Sequence, residues 1–299
     1  MMSCVLACRD AALAGGRAIV GLRPVEVTDK PDAYVGAHAV VTGADYRAQA
    51  IVLETLRRFD ETAWFLTEEV LVDQSLRNRV ITNANLSELQ DRRVFVIDEL
   101  DGTSGHAVAH YEWSVSVAAV ESLAHVGGAV FAPQVFGGAL FVAARGGGAF
   151  LEIGGGPALR LCLPVTPPAL KDSYVLVGPD AFLTRYPTHN RLLTMLGDAC
   201  RTLNGNGSCA LAMGLVAAGR ADALIQPLQA PWDWAAGKLL VEEAGGLVLF
   251  YELRNGCITP IAKLELHHYD PDLKAVGFVA APRALATEIM DMLISLSAT

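Results

Sequence analysis

The sequence predicts a mixed α/β (α+β) protein in which helices pack on sheets, and three patterns support this prediction. Residues 94–97 form a short apolar run of β-branched and aromatic side chains, which is typical of a strand covered on both faces. Strands in hairpin order follow between residues 113 and 150, so we expect antiparallel pairing there. From residue 173 onward strands alternate with helices, which is typical of a layered arrangement with ligands at strand ends.

Length and composition narrow the functional classes. The 299 residues, 52% of them hydrophobic, can bury a large core as one α/β unit or as two closely packed lobes. The net charge of −9 argues against a nucleic-acid polymer as the main partner, because that partner requires clustered Lys and Arg. The six cysteines form no CxxC pair, so a reducing cytoplasm fits best. No stretch approaches the length of a membrane span, so we expect no membrane partner.

Two helices and a connecting segment open the chain. Apolar positions between residues 5 and 20 recur at helical spacing, and the polar residues 30–40 predict a loop or a β-ribbon. Thr42, followed three residues later by Asp45, is typical of the capping box that starts a helix. Asp45 therefore has a sufficient role as a cap. The alternative, that its carboxylate reaches a catalytic hydroxyl, stays open.

Paired carboxylates end the next predicted strand, residues 63–66. Glu68 and Glu69 follow it directly and would repel each other. A nearby cation is one explanation for the pair, and surface exposure is the other. Residues 70–93 then predict a long polar connection that leads to the central strand.

The central strand, residues 94–97, ends in two carboxylates, Asp98 and Asp101, in a predicted turn. Together with a turn carbonyl they supply three hard oxygen ligands, which suits Mg²⁺. The flexible backbone at Gly102 and Thr103 has amides that can point at a phosphate. The alternative is a solvated acidic turn that caps a helix.

Two histidines follow this turn at a spacing of four residues. His106 and His110 would share a helix face as transition-metal ligands. Because no HExxH pattern accompanies them, we expect surface or substrate-facing histidines instead. Three prolines within residues 161–171 then predict a boundary between an N-terminal lobe, residues 1–165, and a C-terminal lobe, residues 166–299.

The C-terminal half contains two further candidate positions. Ser208 begins a helix of small residues, whose N-terminus is available to an anion; a flexible loop before a tightly packed helix is the alternative. Asp233 lies between two tryptophans in the first turn of a helix that starts at Pro231. The remaining elements are predicted as strands at 173–178, 200–203, 221–225, 248–250 and 276–280, and as helices at 189–197, 208–218 and 283–296.

Several separated motifs now agree in order. They are TGAD at 42–45, EE at 68–69, DELDGT at 98–103, GSCALAMGLVAAGRADA at 207–223 and WDWAAGKLLVEEAGG at 232–246. Together they resemble the inositol monophosphatase superfamily of Mg²⁺-dependent, lithium-sensitive phosphatases over most of the chain. This resemblance implies a layered αβαβα sandwich of the sugar-phosphatase type, two or three bound Mg²⁺ ions, a small phosphorylated substrate and a homodimer.

The resemblance also implies roles for individual residues. The Mg²⁺ ligands would be Glu68, Asp98, the Leu100 carbonyl, Asp101 and Asp233. Glu68, Thr103 and Asp45 would be catalytic, with Thr103 and Asp45 as the dyad that helps to activate water. Asp101, Gly102, Thr103, Ser208 and Gln226 would lie on the phosphate or substrate side.

The sequence departs from the family pattern at several of its specificity positions. Proline is replaced by Glu99, glycine by Thr67, a glutamate by Gln49, the TNF or KEF triplet by residues 104–106, and an inositol-gripping glutamate by Gln226. We expect Glu99 to be a lost backbone constraint, because a side chain beside Asp98 on a strand end points to the opposite face.

Three functional readings follow from the resemblance. The leading one is a phosphomonoesterase acting on inositol monophosphate or a related polyol or sugar phosphate. The second is a 3′(2′),5′-bisphosphate nucleotidase or fructose-1,6-bisphosphatase, with residues 70–93 contributing substrate contacts. The third is a regulatory or partner-binding homologue with weak or no activity.

Overall fold

The computed structural model describes residues 2–22, 26–30, 40–69, 74–178, 187–254, 257–272 and 276–297. Its helices are α1 (Met2–Ile19), α2 (Gly43–Phe59), α3 (Glu88–Asp91), α4 (Thr103–Ala107), α5 (Pro187–Ala199), α6 (Cys209–Ala217), α7 (Pro231–Glu243) and α8 (Arg283–Ser297). Its strands are β1 (Val27–Asp29), β2 (Val40–Thr42), β3 (Trp64–Thr67), β4 (Arg93–Asp101), β5 (Ser114–Glu121), β6 (Ala124–Ala132), β7 (Ala139–Ala144), β8 (Gly148–Ile153), β9 (Leu159–Leu161), β10 (Tyr174–Val177), β11 (Thr202–Gly205), β12 (Ala223–Gln229), β13 (Gly246–Arg254), β14 (Cys257–Ile261) and β15 (Val276–Pro282).

Two large sheets organise these elements. The first has seven strands in the order β3-β4-β5-β6-β7-β8-β9, and every pair after the parallel β3–β4 pair is antiparallel. The second has six strands in the order β11-β10-β12-β15-β13-β14, with β10 parallel to both of its neighbours. The hairpin order predicted for residues 113–150 is therefore confirmed, as is the alternation of strands and helices after residue 173.

The side chains on the two faces of each sheet place the helices in three layers. Helices α1 and α2 share one apolar cluster with the outer face of the first sheet. Helices α6 and α7 share a second, larger cluster with the inner faces of both sheets. Helices α5 and α8 cover the outer face of the second sheet. This is the αβαβα sandwich that the resemblance implies.

Strand β4 shows why the central apolar run is unbroken. Val94 and Val96 face the inner cluster, whereas Phe95 and Ile97 face the outer one, so both faces of the strand are buried. The prediction that the strand stops before Asp98 is wrong. Pairing with β5 continues to Asp101, with a shift of register after Asp98, because residues 98–101 bulge without leaving the sheet.

The remaining predicted elements differ from the structure mainly in their ends. Strands β1 and β2 pair in antiparallel fashion on either side of the segment predicted as a loop or β-ribbon, whose residues 31–39 lie outside the described residues. The connection at 70–93 contains short helical turns, including α3, in its described part, residues 74–93. Strand β14 has no counterpart in the sequence prediction. Among the described residues, no helix combines the length and apolar character needed to cross a bilayer.

The predicted boundary between lobes falls where the chain leaves one sheet for the other. Strand β9 ends at Leu161 and β10 begins at Tyr174. The hydrophobic core does not divide there, because α7 packs between both sheets and Leu163 N donates to Ala244 O at 2.7 Å. The residue ranges 1–165 and 166–299 remain a prediction.

A buried histidine ties α5 to the second sheet. The Nε2 atom of His189 lies 2.6 Å from the Tyr251 hydroxyl, which itself donates to the backbone oxygen of Gln226 at 2.6 Å. The histidine nitrogen is therefore the donor of this pair. Burial lowers the pKa of His189 from 6.5 to about 4.

We predict that His189 makes stability depend on pH. The unfolded chain takes up this proton near the usual pKa and the folded chain only near 4, so stability falls as the pH drops through this window and is constant above it. The loss of melting temperature between about pH 7 and about pH 5 should be smaller in His189→Gln than in the wild type. His110→Gln, on the surface, is the control and should keep the wild-type loss. An equal loss in all three proteins would contradict the prediction.

Candidate metal and phosphate site

Three carboxylates meet where β4 ends and α7 begins. Asp98 and Asp101 come from the bulged end of β4, and Asp233 comes from the first turn of α7. One oxygen of each lies within 4.8 Å of the others. Asp98 and Asp101 are only 1% and 6% exposed. Their convergence is decided by packing, because the inner layer brings the N-terminus of α7 against the end of β4.

Burial and like charge make this group unfavourable without a cation. Burial raises the pKa of Asp98 well above its usual range, and the charges of Glu68, Asp101 and Asp233 raise it further. Burial also raises the pKa of Asp101 to about 6. A cation between the three carboxylates would remove this repulsion. The group offers only hard oxygen donors, which fits Mg²⁺.

The N-terminus of α6 holds the carboxylate of Asp101. The Ser208 hydroxyl donates to Asp101 Oδ2 at 2.6 Å, the amide of Ala210 to the same oxygen at 2.7 Å, and the amide of Cys209 to Oδ1 at 3.1 Å. These bonds oppose the rise in the pKa of Asp101 and fix its orientation. The anion predicted for this helix start is thus a side chain of the protein itself.

Asp45 both caps α2 and contacts the Thr103 hydroxyl. Its Oδ2 atom accepts the amide and the hydroxyl of Thr42, each at 2.7 Å, which completes the capping box of α2. Its Oδ1 atom accepts the Thr103 hydroxyl at 2.9 Å. The same hydroxyl also lies 2.9 Å from the carbonyl oxygen of Leu100. Burial raises the pKa of Asp45 despite its hydrogen bonds to Thr42 and Thr103.

The paired glutamates after β3 have a cation beside them. The Lys30 ammonium contacts Glu68 Oε1 at 2.7 Å and also pairs with Glu69. Burial disfavours a charged lysine here, but the two carboxylates outweigh it and raise the pKa of Lys30. Of the two explanations for the glutamate pair, the structure therefore favours a nearby cation over surface exposure. Glu68 lies outside the three-carboxylate group, yet its charge raises the pKa of Asp98.

A buried thiol beside the carboxylates was not singled out by the sequence. Burial, followed by the charges of Asp233, Asp101 and Asp98, raises the pKa of Cys209 well above 9. Cys209 therefore stays a neutral thiol and does not compete for a hard cation. Only its position directly after Ser208 on the helix start signalled it.

Comparison with known proteins decides the family. The model of the inositol monophosphatase family matches residues 5–295. The chain belongs to the inositol monophosphatase family. It is 33% identical to inositol-1-monophosphatase of Rhizobium meliloti (strain 1021) over 69% of this chain and 70% of that protein. It is 31% identical to Nus factor SuhB of Escherichia coli (strain K12) over 71% of this chain and 72% of that one.

Solved structures agree with this membership. The inositol monophosphatase from Anabaena (Nostoc) sp. PCC 7120 superposes with a TM-score of 0.70 at 25% identity, covering 97% of this chain and 95% of that one. The family and the names of these relatives support a phosphatase.

Three further residues singled out in the sequence differ in their surroundings. Gln226 is buried on β12, where it contacts the Cys209 side chain and lies 3.4 Å from Gln229 Nε2. The prediction that His106 faces the surface or substrate is wrong: it is buried with its ring 4.9 Å from that of Trp113. His110 is exposed, as predicted.

Gly102 is the position where the backbone of the site permits no side chain. Its φ is +94°, and a Cβ atom there would lie 2.7 Å from Glu112 O. Gly21 has a similar φ of +79° but no atom within 4 Å of a Cβ, so it is a matched control. The Gly102 carbonyl also accepts the amide of His106 and starts α4.

We predict that Gly102→Ala destabilises the protein more than Gly21→Ala. Both variants incur the left-handed backbone cost of about 1–2 kcal/mol, but only the first must also displace the Glu112 backbone. Denaturant unfolding of the two variants and the wild type measures the difference. An equal loss of unfolding free energy in the two variants would contradict the prediction, because it would show that the Glu112 backbone shifts at no cost.

Proposed function

We propose that this family member is a Mg²⁺-dependent phosphomonoesterase that hydrolyses inositol monophosphate or a related polyol or sugar phosphate. The observation that carries the proposal is the group of Asp98, Asp101 and the partly buried Asp233, which could hold a cation, together with the hydrogen bond between Thr103 and Asp45. These two features supply a place for a phosphate-neutralising ion and a place for proton transfer. The names of the relatives add support for a phosphatase.

The residues that would hold two or three Mg²⁺ ions are Asp98, Asp101, Asp233, Glu68 and the Leu100 carbonyl. When bound, Mg²⁺ neutralises the phosphate charge and lowers the pKa of a coordinated water. Asp101 is suited to a fixed ligand, because α6 restrains both of its oxygens. Glu68 pairs with the Lys30 ammonium in this structure. It would become available to Mg²⁺ if the Lys30 side chain moved away and the ion took its place.

Thr103 and Asp45 would move a proton from the attacking water. Because the Thr103 hydroxyl donates to Asp45 Oδ1, its lone pairs can accept a proton from water as its own proton shifts to the carboxylate. Burial, aided by the charge of Glu68, raises the pKa of Asp45 and makes it a better base. The bonds from Thr42 keep the carboxylate oriented toward Thr103. No covalent phosphoenzyme is required.

The phosphate would lie near Gly102, Thr103 and Ser208. Ser208 and the first amides of α6 bind Asp101 in this conformation, so their contribution to phosphate binding is indirect through that carboxylate. Gln226 would lie on the substrate side, and its contact with Cys209 beside the carboxylates supports this position. Its neutral amide can both donate to and accept from a substrate hydroxyl, whereas a carboxylate only accepts.

The proposal includes a homodimer in the cytoplasm. The homodimer follows from the family resemblance alone. The cytoplasmic location is supported by the six free cysteines, of which Cys162 and Cys257 are exposed, because exposed thiols persist in reducing compartments.

A partner-binding role is the second candidate. It is favoured by the Escherichia coli relative, whose name is Nus factor SuhB. The reading as a bisphosphate nucleotidase or fructose-1,6-bisphosphatase stays a prediction, and residues 70–73 of its segment lie outside the described residues.

We predict that Asp98→Asn abolishes Mg²⁺-dependent phosphate release and stabilises the metal-free fold. The substitution removes a cation ligand, and it also removes a buried charge that repels its neighbours. Phosphate release from inositol monophosphate, sugar phosphates and 3′,5′-bisphosphate nucleotides, together with melting temperatures in the presence of a chelator, measures both effects. A wild type that is inactive with Mg²⁺ on every substrate would favour the partner-binding role. An active Asp98→Asn variant would place the metal elsewhere.

Lithium inhibition is a second expected outcome. Since the resemblance implies lithium sensitivity, Li⁺ should inhibit phosphate release in the millimolar range by occupying one metal position after product forms. Steady-state kinetics should then show uncompetitive or non-competitive inhibition. Indifference to Li⁺, with Na⁺ as the ionic-strength control, would indicate a differently built second metal position.

A further inference from the structure

The backbone of Glu69 is held by three side chains. The Gln49 amide donates to Glu69 O at 2.9 Å, and the Thr67 hydroxyl donates to the same oxygen at 2.8 Å. On the other side, Glu69 N donates to Glu99 Oε1 at 3.1 Å. Both polar backbone groups of one residue are therefore bound by side chains.

These three side chains come from three elements and form one network. Gln49 lies on α2, Thr67 ends β3 and Glu99 lies near the end of β4. Gln49 Nε2 also donates to Glu99 Oε1 at 2.7 Å, which closes the network. All three residues are buried, with Glu99 at 0% exposure. We call Gln49, Thr67 and Glu99 the Glu69 anchor.

The members of the Glu69 anchor are three positions at which the sequence departs from the family pattern. Thr67 lies 18 residues after Gln49, and Glu99 lies 32 residues after Thr67. Unrelated drift at scattered positions has no reason to converge on the backbone of a single residue. Their side chains instead meet at one backbone and form one local arrangement.

Stability alone is a poor explanation for Glu99. Its Oε2 atom is buried and has no hydrogen-bond partner among the described residues. A buried carboxylate with one bare oxygen costs stability, and a well-packed apolar side chain would avoid that cost. Glu99 instead supplies a fixed acceptor for Glu69 N and for the Gln49 amide, and it thereby holds both groups in position.

We propose that Gln49, Thr67 and Glu99 are positioning residues that fix the carboxylate of Glu68 for Mg²⁺ through the backbone of Glu69. The inference rests on the proposed function, in which Glu68 is a metal ligand. Glu68 precedes the anchored residue directly, and its own amide is held by Ile97 O at 3.3 Å. Because these hydrogen bonds fix the backbone at Glu68 and at Glu69, the Cα–Cβ bond of Glu68 has one defined position and direction. Outer partners of this kind affect metal affinity by about 10- to 100-fold.

The test is Mg²⁺ binding to the full chain, measured by titration calorimetry without substrate. Gln49→Glu replaces the donor of the network by a third acceptor that faces Glu69 O and Glu99 Oε1. We expect it to weaken Mg²⁺ binding about tenfold or more. Adding Glu99→Gln to this variant returns a donor to the network, so the double variant should recover a large part of the loss.

A matched pair at Thr67 tests the hydroxyl by itself. Thr67→Ser keeps the hydroxyl and should keep the Mg²⁺ affinity, whereas Thr67→Val has nearly the same shape without it and should weaken binding. Leu293→Ala, in the apolar cluster under α8, is the control for general destabilisation. This variant should have a lower melting temperature than the wild type but the same Mg²⁺ affinity.

The outcomes separate this inference from the proposed function. Folded Gln49→Glu with wild-type Mg²⁺ affinity, or a double variant no better than the single one, would overturn the Glu69 anchor. A lower melting temperature at unchanged affinity would show that the network is only structural and would overturn it equally. A wild type that binds Mg²⁺ but releases no phosphate from any substrate would instead overturn the proposed function alone.

Discussion

The organising constraint is the repulsion among carboxylates that the fold buries together. Three of them lie within 4.8 Å at the meeting point of β4 and α7, and burial is the largest cause of the raised pKa of Asp98. A protein accepts such an arrangement only when something opposes the repulsion. Here the opposing groups are the hydrogen-bond donors of α6 around Asp101 and the Lys30 ammonium beside Glu68, and the three carboxylates could also hold a metal ion.

Close packing of the middle layer maintains this geometry. A Cβ atom at Gly237 on α7 would lie 2.4 Å from Met213 Sδ on α6, so the two helices approach as closely as a missing side chain permits. On the other side of α7, a Cβ atom at Gly128 on β6 would lie 3.2 Å from Ala236 Cα. The small residues thus have a positional role: they let two helix starts, with Ser208 and Asp233, reach the end of the same strand.

The departures from the family pattern acquire a meaning only together. In the sequence Glu99 reads as a missing proline, Gln49 as a missing glutamate and Thr67 as a missing glycine. In the fold all three bind the Glu69 backbone, and Gln49 and Glu99 also bind each other. Each of these residues lacks the group that the family pattern has at its position, but it forms a hydrogen bond with a residue elsewhere in the chain. Such bonds are expected because buried donors and acceptors must be paired.

The sequence by itself determined what depends on local spacing. Cap chemistry predicted the capping box of Thr42 and Asp45. The spacing of apolar and small residues predicted strand β4 and helix α6, and the order of the motifs indicated the family. Only the tertiary structure decided which groups meet: Asp101 on the start of α6, Lys30 on the glutamate pair, Cys209 beside the carboxylates, His106 inside against Trp113, and β4 continuing through its bulge. Most of these contacts join residues far apart in the chain, and the packing of three helix layers on two sheets sets their distances, which no local pattern encodes.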